Sequence, residues 1–209
     1  GVQTCALPIS MLLAAARCLA RQPNFSGTLH LIFQPAEEGG GGARVMIEDG
    51  LFERFPCDAV FAMHNVPGFP TGHLGFASGP LMCSADTVHI TLHGHGGHGA
   101  VPQSTVDPVV ACAAIVMSLQ TIVARNIDPQ ETAIVTVGAM QAGQAANVIP
   151  ATATLTLSVR ALTAVVRARL EQRITELVTA QAASFGARAE IDYRHGYPVL
   201  VNHPAETEL

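Results

Sequence analysis

The stretch LHLIFQPAEEGGGG, residues 29–42, carries the strongest indication of fold and chemistry in this chain. Its first five residues form an apolar run that is typical of a buried strand. Two adjacent carboxylates, Glu37 and Glu38, follow soon after, and four glycines come next. Because the side chains of neighbouring residues diverge, one carboxylate can bind a metal ion while the other acts as general base on a metal-bound water. The alternative interpretation is a solvated pair of glutamates that begins a turn.

Helices and strands alternate on both sides of this stretch. The sequence predicts helices at residues 11–22 and 43–48, and further buried strands at residues 58–63 and 73–78. Such alternation indicates a parallel or mixed α/β sheet.

His64 directly follows the second predicted strand. Open α/β sheets place their sites beyond the carboxyl ends of the strands, so we expect His64 to lie near Glu37 and Glu38. Carboxylate and imidazole groups suit Zn²⁺, Mn²⁺ or Co²⁺. The alternative for His64 is a packed or capping histidine.

From residue 84 the pattern changes to β-α-β-β-α-β, the signature of a ferredoxin-like unit. The predicted strands lie at residues 86–93, 132–140, 151–160 and 187–194, and the predicted helices at 107–125 and 164–184. We therefore divide the chain into an α/β segment (1–83), an inserted α+β domain (84–195) and a tail (196–209).

Composition narrows the class of protein. The 209 residues are 49% hydrophobic and 13% charged, with a net charge of −5, which is typical of a globular chain and excludes disorder. The 11 Lys and Arg are scattered, so we expect no nucleic-acid partner. We also predict no membrane span and no secretion signal. Five cysteines without CxxC spacing indicate reduced thiols and a cytoplasmic setting.

A glycine-rich segment, HGHGGHGAVP at residues 93–102, is the second candidate for chemistry. Its glycines permit close approach of the backbone. A histidine on such a loop can donate a hydrogen bond to an oxyanion that develops on a scissile carbonyl, and we favour this role for His98. His93 and His95 are interpreted as solvated imidazoles, although three histidines at this spacing could also hold a metal ion.

Two further residues are candidates for binding a substrate carboxylate. Asn147 lies in the loop GQAANVIP, residues 143–150, between two predicted strands. Its amide could hold a carboxylate or only satisfy the turn. Arg160 ends an otherwise uncharged strand, where it could clamp a carboxylate in bidentate fashion or simply be a surface arginine.

Together these segments resemble one family of metal-dependent amidohydrolases, which includes hippurate hydrolase and the N-acyl-amino-acid and indole-acetyl-amino-acid hydrolases. The matching segments are QPAEEG (34–39), MHNVP (63–67), GHGGHGAVP (94–102) with DPV (107–109), ANVIP (146–150) and VR (159–160). The resemblance implies a fragment of a di-metal, zinc-peptidase-like α/β catalytic domain. It also implies that the ferredoxin-like insertion is a dimerisation or lid domain that forms a homodimer.

The resemblance also implies roles for the candidate residues. Glu37 resembles the general base, and Glu38 and His64 resemble ligands of two divalent metal ions (Zn, Mn or Co). His98 resembles the residue that reaches a neighbouring subunit's active site and stabilises the oxyanion. Asn147 and Arg160 resemble the groups that bind the carboxylate of an N-acyl amino acid.

Two departures from the family pattern affect the metal site. The family carries Cys-Gly-His-Asp-Gly-His just before the first helix, where this chain has QTCALP at residues 3–8. We therefore interpret residues 1–10 as non-native sequence and Cys5 as a chance thiol. The family's last histidine ligand lies beyond residue 209. These departures predict weak metal binding and little activity for the 209-residue chain.

The resemblance predicts hydrolysis of the amide bond of N-acyl amino acids, of the hippurate or N-acetyl type. Two alternatives remain open. One is a metallopeptidase or deacylase of the same class with another substrate. The other is a non-catalytic dimerisation or binding module.

Overall fold

The computed structural model describes residues 2–208, with side chains from residue 7 onward. It divides into two compact units, Gly1–Phe76 and Ala77–Leu209, which are considered separately. The predictions about Cys5 and about the side chains of residues 1–6 lie outside the described part.

The first unit contains three helices, which are α1 (Val2–Arg21), α2 (Gly42–Glu48) and α3 (Leu51–Arg54). The predicted helices at 11–22 and 43–48 are confirmed, although α1 begins nine residues earlier and includes Pro8. Gly41 precedes α2 in the left-handed region, with φ of 66°, which glycine adopts without strain.

The three strands predicted for the first 78 residues are wrong for this structure. Residues 28–33, 58–63 and 73–78 form no ladder among the described residues. Apolar side chains of the expected first strand are exposed, including Leu29 and Phe33. A strand is stabilised by hydrogen bonds to a neighbour and by a covered face, and the described part of the chain supplies neither around these segments.

The second unit contains the predicted β-α-β-β-α-β order, which the structure confirms. Its elements in chain order are β1 (Gly79–Met82), β2 (Asp86–His93), β3 (Gly97–His98), a 3₁₀ helix (Pro102–Ser104), α4 (Pro108–Asn126), β4 (Ala133–Ala142), β5 (Val148–Ile149), β6 (Thr152–Ala161), α5 (Ala164–Ser184), β7 (Arg188–His195), β8 (Leu200–Asn202) and α6 (Pro204–Thr207).

Four of these strands form an antiparallel sheet in the order β4-β6-β2-β7. The core lies between one face of this sheet and α4 and α5, with Ile90, Leu157, Ile115 and Leu170 fully buried. Alternation along β2 places Thr87, His89, Thr91 and His93 on the opposite face, whereas Asp86 is buried. Every second residue of the strands and one face of each helix therefore pack together in one core.

Polar side chains cap the first turns of α4 and α5, and a glycine follows the end of α5. The Asp107 carboxylate accepts a hydrogen bond from the backbone N–H of Val109 at 2.8 Å, and the Thr163 hydroxyl accepts one from Val166 at 3.3 Å. After α5, Gly186 takes φ of 75° and the chain turns into β7.

The tail returns to the beginning of the unit, which was not predicted. β8 pairs antiparallel with β1, and Asn202 lies opposite Gly79. The backbone N–H of Ala85 donates to the carbonyl of Tyr197 at 3.0 Å, so the chain enters and leaves the four-stranded sheet side by side.

Helix α4 is the one described helix that is long and apolar enough, by length and composition alone, to cross a membrane. Its residues Ala111, Ile115, Leu119 and Ile122 are fully buried in the core. Core helices of globular proteins commonly pass this test, so the finding is weak evidence for a membrane.

Candidate functional site

The candidate residues fall into both units. Glu37, Glu38 and His64 belong to the first unit, and His98, Asn147 and Arg160 belong to the second. The three in the first unit lie in turns and loops rather than at strand ends, and all three are exposed.

The expected convergence of these groups on a metal ion is not observed. Among the side chains of residues 7–208, the structure brings no three His, Cys, Asp or Glu close enough to hold a metal. Since a catalytic zinc site normally has three protein ligands, the residues present do not fit a complete site. The roles of Glu37, Glu38 and His64 stay predictions.

One detail at His64 suits a ligand. Its Nδ1 lies 2.7 Å from the backbone carbonyl oxygen of Asn65, which can only accept. Nδ1 therefore carries a proton, and in the neutral imidazole Nε2 keeps a lone pair. Histidines that bind metals commonly donate their other N–H to a carbonyl in this way.

In the second unit, His98 and Asn147 lie together at one end of the sheet. His98 pairs with Val148 across β3 and β5, and the backbone N–H of Gly99 donates to the Asn147 carbonyl at 2.8 Å. Both side chains are exposed. The segment is tightly folded, because a Cβ on Gly94 would lie 2.2 Å from the Val106 carbonyl oxygen and a Cβ on Gly96 2.7 Å from that of Ile149.

The environments of His93 and His95 differ from that of His98. The ring of His93 contacts the Glu190 carboxylate at 3.2 Å on the polar face of the sheet. His95 is exposed, and its backbone pairs with Val106. The interpretation of these two as ordinary polar side chains stays a prediction.

Arg160 lies at the opposite end of the sheet from Asn147. Eight residue steps along β6 separate Thr152 from Arg160, which corresponds to about 26 Å at ~3.3 Å per residue. An N-acyl amino acid is much shorter than this. One chain therefore cannot place both Asn147 and Arg160 on the same small substrate.

A shallow groove of about 520 Å³ lies beside the loop that carries Asn147. Gln141, Gln144, Thr152 and Thr154 contribute its polar lining, and none of its lining residues is charged. This end of the sheet therefore offers amide and hydroxyl groups but lacks a cation for a carboxylate within the groove.

The backbone N–H of Ala100 contacts the His98 ring, with 3.1 Å between its nitrogen and Nδ1, and the sequence did not indicate this contact. A backbone amide leaves no side-chain signal. Only the short turn HGAVP could have suggested it.

The second unit has a ferredoxin-like β-α-β-β-α-β order, and the first unit carries the exposed candidates Glu37, Glu38 and His64. The profile of Peptidase family M20/M25/M40 matches residues 1–209, and the chain belongs to this family.

Known relatives agree with this assignment. The chain is 44% identical over 192 residues to a hippurate hydrolase from Campylobacter jejuni. This match covers 92% of this chain and 50% of that protein. It is similar to a solved structure from methicillin resistant Staphylococcus aureus, with a TM-score of 0.84, 33% identity, and coverage of 94% of this chain and 52% of that one.

A second solved structure, a dinuclear metal binding peptidase from the M20 family of Bacillus subtilis, matches with a TM-score of 0.67 and 32% identity. That match covers 84% of this chain and 43% of the other. The chain thus spans about half the length of the relatives it matches.

Proposed function

We propose that a protein containing this chain hydrolyses the amide bond of N-acyl amino acids. The observation that carries the proposal is the match to hippurate hydrolase over 92% of the chain, together with a family profile that spans all six candidate residues. In the proposed reaction, water adds to the amide carbonyl, and the bond to the amino-acid nitrogen breaks to give a carboxylic acid and a free amino acid.

Within this proposal, Glu37 takes the proton of the attacking water and His98 donates a hydrogen bond to the oxyanion. Two divalent ions, drawn from Zn, Mn or Co, are proposed as cofactors, and the dinuclear metal binding relative supports this. The described residues form no three-ligand group for these ions.

The geometry of the second unit supports a shared active site. Asn147 and His98 lie at one end of the sheet, and Arg160 at the other end, where the chain enters and leaves the sheet. We propose that Arg160 of one chain and the pair His98 and Asn147 of a second chain contact the same substrate. A homodimer places both groups on one substrate.

Helix α4 and strand β4 supply a surface for such a homodimer. From Pro108 to Ala124 the helix carries no charged residue, and its exposed stripe includes Val110, Ala113 and Met117. β4 is an edge strand of the sheet, with Ile134 and Met140 exposed. An uncharged stripe beside an unpaired edge is a typical subunit interface.

Turnover by a longer protein that contains residues 1–209 tests the proposed reaction. We expect release of glycine from N-benzoylglycine or acetate from N-acetyl amino acids with Zn²⁺, Mn²⁺ or Co²⁺ added, and loss of at least about 100-fold in kcat for Glu37→Ala. A panel of peptides and other acyl substrates separates this activity from a related peptidase or deacylase. An unchanged rate in Glu37→Ala would instead favour a non-catalytic binding role.

The 209-residue chain by itself is proposed to bind metal weakly and to turn over slowly, because its described residues assemble no three-ligand site. Robust hydrolysis by these residues alone would contradict this. We also propose a reducing, cytoplasmic setting, which the free thiols of Cys18, Cys57, Cys83 and Cys112 support. Cell fractionation tests it.

A further inference from the structure

A tight turn at residues 98–101 holds the imidazole of His98. The backbone carbonyl of His98 accepts a hydrogen bond from the N–H of Val101 at 2.9 Å. Within the same turn, the N–H of Ala100 donates to His98 Nδ1 at 3.1 Å. The side chain thus closes a small ring with its own backbone, as the shorter side chains of Asn and Asp do in turns.

The backbone on either side of this turn is also held. β3 and β5 pair Gly97 with Ile149 and His98 with Val148. Gly99 approaches so closely that a Cβ would lie 3.2 Å from the Asn147 carbonyl oxygen. The position of the His98 ring is therefore determined from both sides.

A backbone amide can only donate, so Nδ1 of His98 must accept and cannot carry a proton in this arrangement. In a neutral imidazole the one proton then resides on Nε2. The His98 side chain is exposed beyond the turn. His64 has the opposite arrangement, because a carbonyl oxygen faces its Nδ1.

We propose that the Ala100 amide is a positioning group, which fixes His98 in the neutral Nε2–H tautomer and orients that N–H as a hydrogen-bond donor. This deepens the proposed hydrolysis and rests on it for the identity of the acceptor, the oxyanion of the substrate carbonyl. No proton moves in this role. The imidazole donates a hydrogen bond, and the Ala100 amide keeps the other ring nitrogen from competing as a donor.

Nuclear magnetic resonance on the ¹⁵N-labelled 209-residue chain tests the proposal without any need for activity. At a pH where the imidazole is neutral, long-range ¹H–¹⁵N spectra are expected to show a protonated Nε2 and an unprotonated Nδ1 at His98. A scalar coupling across the hydrogen bond, between the Ala100 amide nitrogen and His98 Nδ1, is expected as well. A protonated Nδ1, or absence of this coupling, would overturn the proposal.

Two substitutions at residue 100 provide a matched pair. Ala100→Gly keeps the N–H and is expected to keep the coupling and the single tautomer. Ala100→Pro removes the N–H, so His98 is expected to show both tautomers while the amide spectrum of β2 and β6 is preserved. One unchanged Nε2–H tautomer in Ala100→Pro would contradict the proposal. If that variant fails to fold, the coupling in the wild type and in Ala100→Gly still decides.

Kinetic measurements test the proposed reaction separately from the tautomer of His98. In a longer protein with turnover, Ala100→Pro is expected to lower kcat without raising KM, and Ala100→Gly to leave both unchanged. His98→Ala removes the ring, so the coupling is measured in the wild type. If the wild type shows the coupling and His98→Ala has an unchanged rate, the tautomer assignment is correct and the proposed oxyanion role is wrong.

Discussion

At the residue scale, Asp86 is the most constrained charge in the second unit. Its side chain is fully buried, and its two oxygens accept hydrogen bonds from Arg167 Nε at 2.9 Å and Nη2 at 2.5 Å. The N–H of Gly196 adds a third at 3.0 Å. These bonds tie the start of β2 to α5 and to the end of β7, where the chain enters and leaves the sheet.

Removal of the Asp86 carboxylate is expected to destabilise the chain strongly. Asp86→Ala leaves the guanidinium of Arg167 without its partner, and breaking a buried ion pair typically costs about 3–5 kcal/mol. Urea unfolding measures this cost. Arg169→Ala, an exposed residue of the same helix, serves as control and is expected to change the free energy of unfolding by less than about 0.5 kcal/mol. Equal effects of the two substitutions would contradict the account.

The free energy of unfolding is expected to fall at alkaline pH because of two buried groups, Cys112 and Tyr193. Burial raises the pKa of the Cys112 thiol from 9.0 to about 11. Burial, with the nearby charge of Asp86, also raises the pKa of Tyr193 above its ordinary value of 10.0. Above pH 9 the unfolded chain therefore binds fewer protons than the folded one, and the free energy of unfolding falls as pH rises.

Urea unfolding at pH 8, 9, 10 and 11 measures this fall. Cys112→Ala is expected to remove the part that begins near pH 9, and Tyr193→Phe the part that begins near pH 10, with an effect of order 2 kcal/mol for Cys112 by pH 11. A wild-type stability that is constant from pH 8 to 11 would count against the burial of both groups.

Sequence patterns select candidate residues, but they do not reveal where the fold places them. Asn147 and Arg160 are close in the sequence and share one expected ligand, yet β6, which is about 26 Å long from Thr152 to Arg160, runs between them. The contact of the Ala100 amide with His98 depends on the turn geometry and on hydrogen-bond donors of the backbone, which no residue type reveals.

At the element scale, the glycines of residues 94–99 allow this segment to pack closely against neighbouring backbone. Substitution of one glycine measures how much this close packing stabilises the chain. A Cβ on Gly94 would lie 2.2 Å from the Val106 carbonyl oxygen, whereas a Cβ on Gly138 in β4 would meet nothing closer than 3.8 Å. Gly94→Ala is expected to cost about 1–3 kcal/mol and to shift the amide resonances of the His98 turn. Gly138→Ala is the matched control, and a larger cost there would contradict the packing argument.

Elements of the insertion could be predicted because each carries its own amphipathic pattern and finds its partners within the same unit. β2 and α5 have the predicted bounds, 86–93 and 164–184. In the first unit the pattern at 28–33 is equally apolar, but the described residues supply no neighbouring strand. Local sequence pattern specifies a strand only where a ladder and a covering layer are available.

At the scale of the whole molecule, the proposed homodimer through α4 and β4 can be tested by a single substitution. Met117→Arg places a charge in the middle of the uncharged stripe, at a side chain that is 72% exposed in the single chain. Dimer dissociation is expected to increase at least about tenfold, because the buried charge lacks a partner. Analytical ultracentrifugation measures the change.

Val165→Arg is the control for this substitution. Val165 lies on α5 and is 80% exposed, outside the proposed interface. It is expected to leave the dimer intact. Dissociation by Val165→Arg but not by Met117→Arg would place the interface elsewhere.

Subunit complementation tests whether the active site combines Glu37 of one chain with His98 of a second. In a longer protein with turnover, Glu37→Ala and His98→Ala are each expected to be nearly inactive as homodimers. When the two variants are unfolded and refolded together, half of the dimers are mixed, and one site in each mixed dimer has both groups. Recovery of about a quarter of the wild-type rate is therefore expected. No recovery above the separate variants, with mixed dimers shown to form, would contradict a shared active site.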